Sequence, residues 1–345
     1  MRLIDRVWRG KDPLARAARV ALTPLEGAYR VATAARGWMY DRSLLRTHPS
    51  SIPAVSVGNL SVGGTGKTPF AAWLASELAH RGAEPAVVLR GYGGDEALVH
   101  ARLNPGIPVV IEPNRVEGIR RAAALGATVA VLDDAFQHRA ASRVKDVVLI
   151  AAEQWGRSMR LLPAGPWREP LAALARASLA VITRKTADDS VVERLASAVR
   201  RAAPAIPQAV VRCSLSELKP ARRNSDHNAV PLAELAGRAV IAITGVADSG
   251  AFFGQLSNVG ATVTGFSFSD HHRFTPAEIA DVLGKIPASG AMVVCTLKDA
   301  VKLDVIWPAT APPLWYVSQA LEVESGGESL EKLLSELTSN HFVRR

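Results

Sequence analysis

Eight residues constrain this chain more than any others: Ser61-Val62-Gly63-Gly64-Thr65-Gly66-Lys67-Thr68. They separate residues 54–57, a short apolar run of strand type, from residues 69–81, which have helical character. A strand that passes through a glycine-rich turn into a helix gathers backbone N–H groups at the positive end of the helix dipole, and that is an anion site. Lys67 then suits the β and γ phosphates of a nucleotide and Thr68 a Mg²⁺ ion, with the backbone of Gly63, Gly64, Thr65 and Gly66 around the phosphate oxygens. Ser61 stands where the general pattern has its first glycine.

A second signal agrees with the first. Thr128-Val129-Ala130-Val131-Leu132-Asp133-Asp134 is a buried-type strand that ends in two carboxylates. Mg²⁺ takes oxygen ligands and keeps several waters, so one direct carboxylate, Asp133 or Asp134, completes the site with Thr68. Further apolar runs at 86–90, 147–150 and 179–183 alternate with helical spacing at 116–125. That alternation predicts an α/β fold of P-loop type, a mainly parallel sheet flanked by helices, with ligands at the carboxyl ends of the strands.

Between about 200 and 238 the chain turns proline-rich and basic, which predicts a domain junction. Strands at 240–244, 262–266 and 292–295, with helices near 250–258 and 276–285, predict a second, smaller α/β domain. The expected division is an N-terminal segment 1–46, a core domain 47–205 and a C-terminal domain 206–345. Helical spacing over 329–337 predicts a tail that packs back on one of the two domains.

Composition narrows the function classes. The chain has 345 residues, 48% hydrophobic and 21% charged, enough for two cores and too apolar for disorder. Two cysteines, Cys213 and Cys295, make no disulfide framework and read as buried small apolar groups in a reducing compartment. Of the net +9, residues 1–46 carry +6, from ten Arg or Lys against four acidic residues. A spanning helix needs about 20 apolar residues in succession, and charges interrupt 13–40 throughout. The same interruptions leave no secretory signal core.

Within that segment Arg16, Arg19, Glu26 and Arg30 fall on an arc of roughly 80°, opposite Leu14, Ala18, Ala21, Leu25, Ala28, Tyr29 and Ala32. The pattern predicts an amphipathic helix kinked at Pro24, either lying in an anionic lipid interface or docked on its own domain. The charge sits on this segment rather than on a reader motif, so nucleic acid is not expected as a partner.

Taken together, Val57-Gly58-Asn59-Leu60 before the loop, Arg90-Gly91-Tyr92-Gly93, Leu132-Asp133-Asp134-Ala135-Phe136-Gln137-His138 and Leu162-Pro163-Ala164-Gly165-Pro166-Trp167-Arg168-Glu169-Pro170 resemble the tetraacyldisaccharide 4′-kinase family. Asp270-His271-His272 and Lys298-Asp299-Ala300-Val301-Lys302 extend the resemblance. It implies an enzyme that moves the γ-phosphoryl of ATP, with Mg²⁺, to the 4′-hydroxyl of a tetraacylated glucosamine disaccharide 1-phosphate in lipid A biosynthesis. It also implies a peripheral location at the cytoplasmic face of a bacterial inner membrane, an anionic surface that the basic segment suits, and no protein partner.

By the same resemblance Asp95, in Gly94-Asp95-Glu96, is the base for the hydroxyl proton, supported by His271 from the second domain, while Lys67 serves the transferred phosphoryl. Glu96, Arg115, Arg168 and Glu169 are the substrate-side candidates. A catalytic partner on each side of the junction predicts closure around ATP.

The sequence also departs from the family pattern. Gly93 and Gly94 are adjacent where a longer segment is usual, Ala97 replaces a proline, Leu297 a glutamate, and Ala247-Asp248-Ser249 a Gly-Asn-Pro-like turn. The shortened segment motivates the alternative of a membrane-peripheral nucleotide-binding protein with an altered acceptor or lost catalysis. A P-loop ATPase or GTPase acting on a protein would call for a signature such as Asn-Lys-x-Asp, which the sequence lacks.

Overall fold

The computed structural model describes residues 3–10, 12–91, 94–156, 158–223, 225, 227–246, 249–286 and 290–339. Two positions of the Arg-Gly-Tyr-Gly motif, Tyr92 and Gly93, and the turn residues Ala247 and Asp248 lie outside them. In chain order, three helices lead: α1 (Leu3–Arg9), α2 (Pro13–Ala21) and α3 (Thr23–Asp41). After them come β1 (Ala54–Asn59), α4 (Lys67–His80), β2 (Pro85–Leu89), α5 (Asp95–Leu103), β3 (Val109–Ile111), α6 (Arg115–Ala124), β4 (Val129–Asp133) and β5 (Lys145–Ala151). The chain continues through β6 (Leu179–Arg184), α7 (Asp189–Ala202), β7 (Gln208–Pro220), β8 (Val230–Pro231), β9 (Ala239–Thr244), α8 (Ser249–Asn258) and β10 (Thr262–Ser267). It closes with α9 (Pro276–Leu283), β11 (Met292–Thr296), α10 (Leu297–Leu303), β12 (Leu314–Ser325) and α11 (Gly327–Thr338).

The chain divides into two compact units. The first comprises Met1–Arg90, Gly106–Arg212 and Leu321–Arg345, the second Gly91–Pro105 and Cys213–Ala320. This differs from the expected division in three places. Residues 1–46 are part of the first unit, residues 91–105 belong with the second, and the tail returns to the first. Each difference has a packing cause. Arg102 of α5 donates to the carbonyls of Pro220 and Ala221 (2.7 and 2.5 Å) and lies over the Tyr316 ring, all in the second unit. In α11, Leu330, Leu333, Leu334 and Leu337 form one buried stripe at helical spacing, and Glu331 pairs with Arg81.

In the first unit the strands lie in the order β7-β6-β5-β1-β4-β2-β3, all parallel. Every residue of β1, β2 and β4 is buried. Side chains alternate between the faces of a strand, so burial at every position means helices cover both faces. On one face Ile119 and Ala122 of α6 pack with Ala86, Val88, Ala130 and Leu132. Helix α4 buries Phe70, Leu74 and Leu78 completely, and each such side chain contributes about 1.5–3 kcal/mol. The second unit has the order β10-β9-β11-β12, again parallel, with β8 antiparallel to the end of β7. Ile241, Ile243, Val293, Cys295, Ile279 and Leu303 form one of its cores. Both cysteines are buried and neither is in a disulfide.

The expected single N-terminal helix is instead two, broken at Leu22. Proline is tolerated in the first turn of a helix and excluded from its interior, and Pro24 accordingly sits in the first turn of α3. The region taken as a junction contains β7, which crosses from one unit into the other.

A close backbone approach fixes the turn after β4. A Cβ on Gly58 would lie 2.5 Å from Phe136 Cβ and 2.8 Å from Phe136 N, so this turn crosses β1 where only glycine leaves room. Gly58→Ala is expected to cost about 1–3 kcal/mol by overpacking. Urea unfolding read by tryptophan fluorescence tests this, and an unchanged midpoint would mean the turn does not cross so closely.

Candidate active site

The glycine loop is fixed from beneath. Asn59, buried at the end of β1, donates through Nδ2 to the Ser61 carbonyl (2.5 Å) and to Thr65 Oγ1 (3.0 Å). Thr183, at the end of β6, donates to the Thr65 carbonyl (3.0 Å), and Ser61 donates to Gln154 Oε1 (2.8 Å). Gly63 and Gly66 have φ of +120° and +81°, which a side chain would strain, and a Cβ on Gly64 would meet open space. Gly66 caps α4, so Lys67 and Thr68 open the helix, with the Thr68 hydroxyl buried in its first turn.

Opposite the loop, the parallel pairing of β1 and β4 sets Val57 beside Asp133. Asp134 follows in a left-handed conformation (φ 51°) and turns its carboxylate to two cations. Its Oδ1 is 3.5 Å from Lys67 Nζ and accepts a hydrogen bond from Arg168 Nη1 at 2.8 Å. Burial alone would raise the Asp134 carboxyl, but Lys67 and Arg168 outweigh it and hold the group below the usual carboxylate range. Asp133 is buried at the strand end, and Arg115, also buried (3% exposed), donates to its carbonyl at 3.1 Å. Among the described residues no three His, Cys, Asp or Glu side chains form a self-sufficient metal cluster. Thr68 with Asp133 and Asp134 is an all-oxygen set that fits Mg²⁺ completed by phosphate oxygens and water.

The loop bearing Arg168 is hydrogen-bonded on two sides. Toward the glycine loop, Val62 N donates to the Pro166 carbonyl (2.7 Å) and Arg168 N to the Leu60 carbonyl (2.7 Å). Toward α3, the buried Glu26 accepts from Leu161 N (2.8 Å) and Arg160 Nε (2.7 Å), and Tyr29 donates to the Arg168 carbonyl (3.1 Å). Helix α3 is therefore docked on its own unit, and Glu26 and Tyr29, expected on opposite faces, both serve the docking. Glu169 points elsewhere and pairs with Arg176 at 2.8 Å. His138 nearby is shifted toward its neutral form chiefly by burial, with Arg115 and Arg90 adding to the effect.

The other predicted residues form a cluster within the second unit. Asp95, the first residue of α5, is buried and accepts from His271 Nδ1, which lies 3.1 and 2.9 Å from its two oxygens. Lys302 Nζ is 3.8 Å from Asp95 Oδ2. Glu96 is half-buried in the same first turn. Asp95 and His271 thus belong to one unit, which corrects the expectation that they come from different domains: α5 packs on α10 and carries Asp95 with it.

The family model for tetraacyldisaccharide-1-P 4′-kinase matches residues 18–97 and 93–338. The chain belongs to the tetraacyldisaccharide 4′-kinase family. It is 40% identical to the tetraacyldisaccharide 4′-kinase of Anaeromyxobacter sp. (strain K), over 95% of this chain and 93% of that one. It is 36% identical to the enzyme of that name from Syntrophotalea carbinolica, over 92% of each chain. Among solved structures it is similar to LpxK from Aquifex aeolicus, described as an apo form in complex with ATP. That likeness has a TM-score of 0.73 and 29% identity, and covers 93% of this chain and 100% of that one.

The two stretches of the 4′-kinase family model overlap at residues 93–97, where the segment before Asp95 is short. Two members of the Asp95 cluster, Asp299 and Lys302, were not among the residues expected at the site, although both lie in a motif that carried the resemblance. Three-residue spacing on a helix was the available signal.

The charge balance at Asp134 gives a pH prediction. A carboxylate with a depressed folded-state pKa stabilises the fold above its unfolded value and loses that contribution as pH falls through the folded value. The difference in thermal midpoint between the native protein and Asp134→Asn should therefore be larger at pH 6 than at pH 3. A difference independent of pH would mean that Lys67 and Arg168 do not hold this carboxylate.

Proposed function

We propose that this chain is an ATP-dependent lipid kinase that transfers the γ-phosphoryl of ATP to the 4′-hydroxyl of tetraacyldisaccharide 1-phosphate. The observation that carries this is the convergence of Lys67 and Arg168 on Asp134 (3.5 and 2.8 Å) beside the glycine loop, in a chain that belongs to this kinase family along nearly its whole length. The backbone of residues 63–66 receives the phosphates. Lys67 follows the charge of the transferred group, and Thr68 with Asp133 and Asp134 holds the metal. Mg²⁺ held by these residues would supply charge neutralisation at the phosphates as the bond to the leaving ADP lengthens. Asp95 takes the proton of the 4′-hydroxyl as the new O–P bond forms, with His271 orienting it. Arg168, Arg115 and the cationic surroundings of His138 suit an anionic substrate.

Incubation of the protein with γ-labelled ATP, Mg²⁺ and tetraacyldisaccharide 1-phosphate in detergent micelles tests the assignment. Label should appear at the 4′ position. Lys67→Ala should lower transfer by about 10²–10³-fold. Asp95→Asn should lower kcat by about 10²–10⁴-fold with less effect on ATP binding. Near-normal turnover in Asp95→Asn removes it as the base, and ATP binding with no labelled lipid would favour a protein with another acceptor or none.

We also infer that the N-terminal helices rest on an anionic membrane surface at the cytoplasmic face of the inner membrane, where an acylated substrate stays. No helix among the described residues is long and apolar enough to cross a membrane. Leu14, Val20 and Val31 are nonetheless 68–70% exposed, Leu25 and Trp38 more than half, amid the densest positive charge in the chain. Apolar insertion and attraction to acidic headgroups act together in such helices. Replacing Leu14, Leu25 and Val31 by Ser, which spares the docking residues Glu26 and Tyr29, should weaken binding to phosphatidylglycerol-containing vesicles severalfold in a sedimentation assay. Unchanged binding would sink the interfacial role.

A further inference from the structure

The Asp95 cluster holds a charge that the phosphoryl-transfer scheme leaves unused. Lys302 is mostly buried (16% exposed) on α10, with Nζ 3.2 Å from Asp299 Oδ1, 3.8 Å from Asp95 Oδ2 and 5.4 Å from the centre of the Phe274 ring. Asp299 is completely buried and tightly fixed: its Oδ2 accepts from Thr296 Oγ1 (2.6 Å), Thr244 Oγ1 (3.1 Å) and Gly245 N (3.1 Å). One oxygen of Asp299 is thus committed to the frame of β9 and β11, and the other faces the ammonium.

The opposite arm of the cluster rests on the same anchor. His271 has a positive φ of 58°, and its N–H donates to the Gly245 carbonyl at 3.1 Å. Gly245 N in turn is held by Asp299. The imidazole and the ammonium that face Asp95 are therefore both set by one buried carboxylate, the ammonium directly and the imidazole through the backbone of a single residue. Burying an ammonium is costly unless charged partners surround it, and a lysine serving packing alone would be replaced by an apolar residue at no loss. Here two buried carboxylates and an aromatic face surround it, and only Asp95 has a further task.

We infer that Lys302 is a positioning residue for Asp95, with Asp299 as the anchor that aims it. The inference rests on the assignment of Asp95 as the group that takes the hydroxyl proton. Lys302 places a positive charge 3.8 Å from Oδ2, beyond hydrogen-bond distance, and so biases the orientation of the carboxylate electrostatically while the imidazole spans both oxygens. Lys302 touches neither substrate nor nucleotide in this role, so its loss should appear in turnover and not in nucleotide affinity.

The test is a double-mutant cycle on the full chain, using Lys302→Met, Lys302→Arg, Asp95→Asn and the Lys302→Met/Asp95→Asn pair, with kcat and the KM for ATP measured in the micelle assay. Lys302→Met should lower kcat about 10–100-fold and leave the KM for ATP within about twofold. Lys302→Arg, which keeps the charge, should recover most of the loss. In the Asp95→Asn background Lys302→Met should add little, because a group that acts through Asp95 has nothing left to position.

Normal kcat in Lys302→Met alongside an impaired Asp95→Asn would overturn the positioning role and leave the base assignment standing. Near-normal turnover in Asp95→Asn would overturn the base assignment and this inference together. Losses that multiply in the pair would make Lys302 independent of Asp95 and overturn the inference alone. Should Lys302→Met fail to fold by circular dichroism, Lys302→Gln carries the same cycle with a polar group in the buried position.

Discussion

The parallel pairing of β1 with β4 is the constraint on which the nucleotide side of this protein depends. With Val57 opposite Asp133, β1 runs two residues beyond the end of β4 in the same direction, so the glycine loop leaving β1 and the carboxylates leaving β4 emerge at the same carboxyl end of the sheet. An antiparallel pairing would send them to opposite ends. Gly58 lets the turn at Phe136 cross over β1, and Gln137 Nε2 then reaches the Asn59 carbonyl at 2.9 Å. Asn59 holds the loop from the same residue. The phosphate loop and the Asp pair are thus tied through one strand end, and a fault at Gly58 should reach both.

The second tie runs outward. The segment 160–169 bonds to Leu60 and Val62 on one edge and to Glu26 and Tyr29 of α3 on the other. A buried carboxylate such as Glu26 is stable only with its charge compensated, and Arg160 with the Leu161 N–H supplies that. Arg168, at the end of the segment, reaches Asp134. A basic surface helix and the carboxylate corner consequently share one hydrogen-bonded segment. The energetic consequence is local: truncating the N-terminal helices would strip partners from Arg160 and Leu161, which is why exposed apolar side chains, not deletions, separate surface binding from stability.

What could be read from sequence divides along a physical line. The glycine loop, Lys67, Thr68, Asp133 and Asp134 were legible because each signal is contiguous: an apolar run, a turn, a helix start. β2, β5 and β6 were legible because burial on both faces leaves a nearly uninterrupted apolar run. β7 and β12 were not, since neither is apolar along its length: β7 has part-buried polar positions and is flanked by prolines, and the second half of β12 is mostly exposed. The allegiance of residues 91–105 was also hidden. It is decided by Arg102 meeting the carbonyls of Pro220 and Ala221 more than a hundred positions away, and no local pattern carries that. Asp95 and His271 were recognised through family resemblance alone, and Lys302 was passed over because its partner across space is 207 positions earlier.

The two carboxylate sites are chemically unlike: Asp95 is buried and Asp134 partly exposed. Asp134 is held by Lys67 and by an arginine that never gives up its charge, so its affinity for a proton is lowered and it is a poor acceptor in catalysis. Such a group organises cations. Asp95 instead has an imidazole as its closest partner, at 2.9 Å. On the proposed reading the imidazole orients Asp95, whereas a carboxylate held between Lys67 and Arg168 keeps charge in place. On that reading Asp95, and not Asp134, is the base.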